Sequence, residues 1–234
     1  MLRSEALRLL ALDTSTPRCG VAVYDVETGR ASVRREEVTT HSDRLLWLVD
    51  ACLRECGWGP ADLAAVACGA GPGSFTGLRI GVSTAKGLCF ALGLPLLMIS
   101  SLQVLAEQHR GAAPWILACL DAWGGQVYAQ LFPAPPAALA DPRLARPAAW
   151  DPGALREALQ GLGNQVAVCG TGVLRHPWLG PPNRLPIDRD PWPDPVVLAQ
   201  LAARRLQRGE RDDLARAAPE YICPSAAEMN TRRG

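Results

Sequence analysis

Residues 71–81 read GPGSFTGLRIG, four glycines and one proline with Phe75, Leu78 and Ile80 set among them. Such a stretch either cradles a phosphate or opens a helix that something else approaches closely. A Walker A loop requires GxxxxGK[ST], and no lysine follows these glycines; a dinucleotide fingerprint requires GxGxxG, and the position three after Gly73 is Thr76. What remains is a helix start, with Ser74 as the N-cap and bare amides that still attract an anion. Beyond it Gly77, Gly81, Ala85, Cys89 and Gly93 recur every four residues, a row of small groups along one face of a helix over residues 74–92. Glycine inside a helix costs about 1 kcal/mol relative to alanine, so close packing has to compensate. The neighbour is either this chain's own sheet or a helix of a second chain. Apolar residues nearly all round, from Leu78, Ile80 and Val82 to Leu88, Phe90 and Leu92, favour cover on both faces. The row is therefore expected to receive a partner.

Outward from this helix the chain reads as alternating strands and helices. Residues 63–70 (LAAVACGA) and 95–99 suit buried strands on either side of it. Residues 8–14 and 19–25 form a hairpin about Pro17, and after Thr28-Gly29, a turn because glycine tolerates positive φ, residues 30–38 add a third, more polar strand. Ser42 and Asp43 offer capping oxygens to a helix that runs to about Cys56 and is stopped by Gly57 and Gly59-Pro60. Its core stripe is Leu45, Val49, Cys52 and Cys56, with Leu48 and Leu53 beside them. Leu46 and Trp47 carry apolar surface beyond that stripe, to be covered by a partner or by a neighbouring helix of the same chain. The order β-β-β-α-β-α-β, with its late strands joined through helices, is that of a ribonuclease-H-like lobe.

The second half is a looser echo. A short helix over 102–108 precedes strands at 115–121 and 126–131, joined by the turn Trp123-Gly124-Gly125. Residues 133–152 hold six prolines and are expected to be irregular. A helix over 154–162, a strand over 165–169, a turn at Thr171-Gly172, a second proline-rich stretch over 177–195 and a helix over 195–208 complete it. The fold expected is α/β: two ribonuclease-H-like lobes of the actin-like ATPase (ASKHA) superfamily, mixed sheets flanked by helices, the first spanning 1–100 and the second, eroded, 101–234.

Composition narrows the function. A chain of 234 residues with net charge +1 is neither disordered nor a strong magnet for nucleic acid. Its eight cysteines include no CxxC, and its three histidines, His41, His109 and His176, are isolated, so a zinc site is not expected. Cys68, Cys119 and Cys169 sit in apolar strands as small core hydrophobes. No signal sequence opens the chain and no apolar run reaches membrane-spanning length, which predicts a soluble cytoplasmic protein with reduced thiols and no membrane contact.

Two loops invite a nucleotide. Asp13, Thr14 and Ser15 end the first strand, where an aspartate in actin-like and sugar-kinase-like ATPases helps hold metal and phosphate. Asp121 with Gly124 follows the corresponding strand of the second lobe, and Gly170 and Gly172 stand where an adenosine-contacting glycine pair would be. Ser15 departs from the glycine those ATPases carry, and aspartates at strand ends also serve turns. No GxSxG surrounds a serine and no histidine has an evident acidic partner, so a hydrolase triad is not indicated.

LALDTST (residues 10–16), GPGSFTGLRIG followed by GVSTAKGLCFALGLPLL (to residue 97) and LDAWGGQVYAQLF (120–132) together resemble the TsaB (YeaZ) family, bacterial relatives of the enzyme TsaD. Beyond Phe132 the likeness rests on element order and on PEYI at 219–222, where Ile222 and Cys223 replace the family's usual leucine-arginine. The resemblance implies a part in making N6-threonylcarbamoyladenosine beside the anticodon of tRNAs that read ANN codons. In TsaD a histidine pair follows the strand after the glycine-started helix and binds metal; here that place reads Met98-Ile99-Ser100-Ser101-Leu102-Gln103. A metal-dependent transferase without its ligands cannot work, so a non-catalytic accessory subunit without metal or cofactor is implied, a nucleotide at the partner junction being left open. The two long helices would pair with TsaD through Leu46, Trp47, Gly77, Leu78, Gly81, Ala85 and Cys89. A TsaE-type ATPase would join, the chain alone would form a homodimer, and tRNA would be reached through the complex. The competing class is an active enzyme, an ATPase or small-molecule kinase of this fold or a metalloprotease.

Overall fold

The structure, a computed structural model, describes residues 7–133, 142–179 and 190–222. Three strands, β1 (Arg8–Asp13), β2 (Arg18–Asp25) and β3 (Ala31–Glu37), form an antiparallel meander in which Arg8 faces Asp25 and Asp13 faces Gly20. Then come α1 (His41–Cys56), β4 (Ala65–Gly71), α2 (Phe75–Leu92) and β5 (Leu96–Ser100). Both late strands are parallel to β1, and the sheet order is β3-β2-β1-β4-β5. That is the ribonuclease-H arrangement expected of the meander and its helical crossovers.

Local chemistry sets the helix ends. Ser74 Oγ accepts from Gly77 N at 3.2 Å, capping α2 as its sequence predicts. Gly57 and Gly93 close α1 and α2 in the left-handed region, at φ 70° and 67°, where a Cβ would be strained. The start of α1 differs from expectation: Thr40 is the N-cap and makes no side-chain cap bond, so Ser42 and Asp43 lie inside the first turn. Leu45, Leu48, Val49, Cys52, Leu53 and Cys56 of α1 join Val82, Ala85 and Cys89 of α2 over Leu10, Leu12, Val21, Val23, Val66 and Cys68 of the sheet, one continuous core. The described cysteines are all free thiols and all buried.

The second sheet contains β6 (Trp115–Asp121), β7 (Val127–Pro133), β8 (Ala148–Trp150) and β9 (Val166–Cys169), in the order β8-β7-β6-β9 with β9 parallel to β6. Around it lie α3 (Ser101–Gln108), α4 (Pro152–Leu159) and α5 (Thr171–Arg175). The first four strands of the first sheet are thus repeated in kind. Strand β8 falls within 133–152, where an irregular path was expected; Ala148-Ala149-Trp150 pairs with Val127-Tyr128-Ala129 once Pro147 is behind it. Pro142–Ala145 of that stretch form a single 3-10 turn, while residues 134–141, and residues 180–189 of the second proline-rich stretch, lie outside the described residues. Thr171-Gly172 opens α5 rather than forming a turn.

The last helix, α6 (Pro195–Gln207), belongs with the first sheet, not with the second as a boundary at 100/101 expects. Residues up to Ser101 together with Asp194–Pro219 form one compact unit, and Leu102–Pro193 the other. The reason lies in strand alternation. Leu10 and Leu12 face α1 and α2, whereas Leu9, Ala11, Ala22, Ala65 and Ala67 form a second buried face of small residues. Helix α6 covers that face, capped by Asp194, whose Oδ1 accepts from Val196 N at 2.7 Å and Val197 N at 3.1 Å, with Pro195 lying against Gly20.

The edge of β5 is closed by side chains. Asp212 accepts from Met98 N at 2.7 Å, its own N–H donates to Leu96 O at 2.9 Å, and Arg205 donates to Met98 O at 2.8 Å while paired with Asp212. An Arg–Asp pair thus takes the main-chain groups that another strand would need. Lys86, the chain's single lysine, holds the following segment to α2 by donating to Ala217 O at 2.9 Å and Ala215 O at 3.3 Å.

Candidate functional site

The glycines of 71–81 make room for the loop after β1. A Cβ built on Gly69 would overlap Asp13 Oδ2; on Gly73, Ser15 O; on Gly77, Thr14 O; on Gly81, Thr14 Oγ1. The four-residue rhythm therefore begins at Gly69, before the helix, and its object is this chain's own Asp13-Thr14-Ser15. Gly77, Leu78, Gly81, Ala85 and Cys89, expected to meet a partner, are buried in the first unit against that loop and the sheet. That is a correction with a plain cause: a small row marks a close approach, and here what approaches is the loop after β1.

The polar groups of the loop bond one another. Asp13 is 2% exposed, and both its oxygens are taken. Oδ1 accepts from Ser15 N at 3.0 Å and Ser15 Oγ at 2.7 Å, and Oδ2 from Ser101 Oγ at 3.3 Å. Thr14 Oγ1 donates to Gly77 O at 2.8 Å, and Ser15 O accepts from Ser74 N at 2.7 Å. A ligand would have to displace these bonds one for one. In the second unit, Gly170 and Gly172 press against Cys119 of β6, so their lack of a Cβ serves packing of α5 on the strand. Asp121 is exposed and paired with Arg175 at 2.9 Å, and Gly124 turns the chain at φ 76°. Among the described residues no three His, Cys, Asp or Glu side chains gather as metal ligands, and no helix is long and apolar enough to cross a membrane.

Burial pushes the Asp13 carboxyl up from 3.8 to about 6, against the bonds from Ser15 and Ser101 that pull it down. Because the folded value is the higher, Asp13 contributes stability that is present below pH 3.8 and lost as pH rises through about 6. The shift of roughly two units corresponds to about 3 kcal/mol. Asp13→Asn keeps an oxygen for Ser15 and gains a donor for Ser101. Urea titrations from about pH 4 to 7.5 should show wild type losing up to about 3 kcal/mol relative to D13N; parallel curves would mean that the carboxylate is ionised in the fold at no cost.

What the first unit does present is the outer side of α1 and α2. Leu46 is 57%, Trp47 54% and Phe90 84% exposed, while Ser83 and Gly87 are exposed and Ile80 and Thr84 half-buried. Arg44 stacks over Trp47 at 4.2 Å and Arg79 over Phe75 at 4.5 Å, so the guanidiniums cover part of this aromatic surface. A Cβ on Gly87 would meet nothing within 4 Å. Leu46 and Trp47 were legible in the sequence as surplus apolar residues. Ser83 and Gly87 lie four apart on the side of α2 opposite Ala85.

The family model described as TsaD, tRNA N6-adenosine threonylcarbamoyltransferase, matches residues 35–134. The tRNA threonylcarbamoyladenosine biosynthesis protein TsaB of Escherichia coli (strain K12) is 39% identical over 127 residues, 52% of this chain and 53% of that protein. TsaB of Bacillus subtilis (strain 168) is 37% identical over 126 residues, 54% and 55% of the two chains. The matched region thus spans about half the length of these curated relatives. Two solved structures from Pseudomonas aeruginosa are similar over nearly the whole chain. One, described as an uncharacterized protein with similarity to peptidase YEAZ, has a TM-score of 0.78 and 32% identity, covering 93% of this chain and 100% of that one. The other, described as YeaZ, has a TM-score of 0.74 and 31% identity, covering 92% and 99%.

Proposed function

The chain belongs to the TsaB (YeaZ) family, and from that premise we propose that it is a non-catalytic partner of TsaD in the N6-threonylcarbamoyladenosine modification of tRNAs that read ANN codons. The observation that carries the reading is the uncovered apolar face of α1 and α2, with Leu46, Trp47 and Phe90 exposed on helices whose other sides are already packed in the core. Exposed aromatic surface of this kind, set around small residues, is what a helical partner covers. The partner contacts are assigned to Leu46, Trp47, Ile80, Ser83, Thr84 and Gly87. Residues 35–134, the part of the chain that matches the TsaD model, contain both helices. A protein with the same helices is a natural partner for a pseudo-symmetric pairing.

Support for an accessory role comes from the strand ends. Asp13 is spent on Ser15 and Ser101, and the stretch where the resemblance puts TsaD's metal-binding histidines reads Met98-Ile99-Ser100-Ser101-Leu102-Gln103. The chain's contribution is a surface, with transfer chemistry in TsaD, a TsaE-type ATPase as third member, and a homodimer through the same face when TsaD is absent. The protein acts in the cytoplasm, where tRNA is modified. The decisive experiment is mass spectrometry of nucleosides from tRNA of a depletion strain: threonylcarbamoyladenosine should fall steeply and return on complementation, and an unchanged level would remove the reading.

A further inference from the structure

The loop that ends β1 touches the N-terminal turns of both exposed helices. Ser15 O accepts from Ser74 N at 2.7 Å, Thr14 Oγ1 donates to Gly77 O at 2.8 Å, and the main chain of Thr16 lies beside the ring of His41, the first residue of α1. The two helices meet there as well, since the His41 ring lies against Gly77. Gly81, one turn further, has no room for a Cβ because Thr14 fills it. Asp13 braces the loop from beneath through Ser15 and Ser101. Four polar residues in succession, all buried, are thus spent on positioning two helix ends.

We propose that Asp13–Thr16, at the strand end where a two-lobed ATPase would hold phosphate, is a clasp that fixes α1 and α2 in one mutual geometry for docking, with Thr14 its positioning residue. This rests on the docking reading above and goes beyond it by naming what sets the shape of the docking face. Two helices that together present a face to a partner lose affinity when the end of either can shift, because the partner then has to order them. The Thr14 hydroxyl is a well-placed element for preventing that shift, since it joins β1 to the first turn of α2 without passing through the hydrophobic core. Its bond is secondary for stability, because Gly77 O also lies within the helix ladder.

The test is isothermal titration with the TsaD protein of the same organism, using wild type, Thr14→Val, Thr14→Ser and Trp47→Ala, with amide exchange of each free variant. T14V keeps the shape and loses the hydroxyl. It should bind about fivefold more weakly, the cost to the partner of ordering a loosened first turn of α2, with faster exchange in the first turns of α2 and little change in global melting. T14S, which keeps the hydroxyl, should bind as wild type. Thr14→Ala replaces T14V should the latter not fold. T14V binding like wild type while W47A binds weakly would overturn the clasp and leave the docking face standing. So would equal weakening in T14V and T14S that tracks melting temperature. W47A binding like wild type would remove the docking face and the clasp together.

Discussion

Gly81→Leu is expected to cost the first unit about 3 kcal/mol, the upper end of what overpacking typically costs. Its Cβ would overlap Thr14 Oγ1 and crowd Thr14 Cβ and Cγ2, atoms buried in the loop after β1. Helix α2 cannot simply retreat, because Leu78, Val82, Ala85 and Cys89 on the same side are already in contact with the sheet and α1. Ala85→Trp meets the same obstacle. Gly87→Ala on the same helix is the control: with nothing within 4 Å, it should leave stability unchanged or raise it by up to about 1 kcal/mol through helix propensity. Denaturant midpoints of the purified variants measure both. A Gly81→Leu protein melting with wild type would mean that α2 does not lie where the loop demands. The row is thus unsuitable for probing a partner, since its variants should fail by unfolding before they fail to bind.

Gly87→Arg is the second large effect, and it should appear in binding alone. The position is exposed on the outer side of α2, beside half-buried Ile80 and Thr84, and a guanidinium there stands where a partner helix would lie. At the centre of a packed helical interface such an intrusion costs about 4 kcal/mol, roughly a thousandfold in affinity. Trp47→Ala, which removes aromatic surface without adding bulk, should lose less, about 2 kcal/mol. Size-exclusion chromatography with TsaD, with circular dichroism and melting of the variant alone, separates the outcomes. A Gly87→Arg protein that still co-elutes with TsaD would place the contact elsewhere on the molecule.

Much of the fold was written in local pattern. Strands β1 to β3 follow from short apolar runs broken by Pro17 and by Thr28-Gly29, and α1 from the stripe Leu45, Val49, Cys52 and Cys56, all four buried. Ser74 caps α2 as its hydroxyl and position predict. Where local pattern was thin, the readings missed. Strand β8 is three residues long in a proline-rich stretch, and its pairing with β7 supplies what its own sequence does not. Helix α6 is plain as a helix, but its place on the first sheet follows from the small residues of β1, β2 and β4 that it covers, more than a hundred positions away in the chain.

The candidate site divides in the same way. The sequence alone determined that something lies very close to α2 along Gly77, Gly81 and Ala85, and that Leu46 and Trp47 exceed what one buried face needs. Only the tertiary structure decided that the close neighbour is Thr14 of the same chain, and that the other side of α2, with Ser83 and Gly87, is left exposed. The physical reason is that a missing Cβ records a short distance and nothing about the atom at the far end of it. That atom is set by how β1, β4 and α2 come together, and no residue of α2 carries that information by itself.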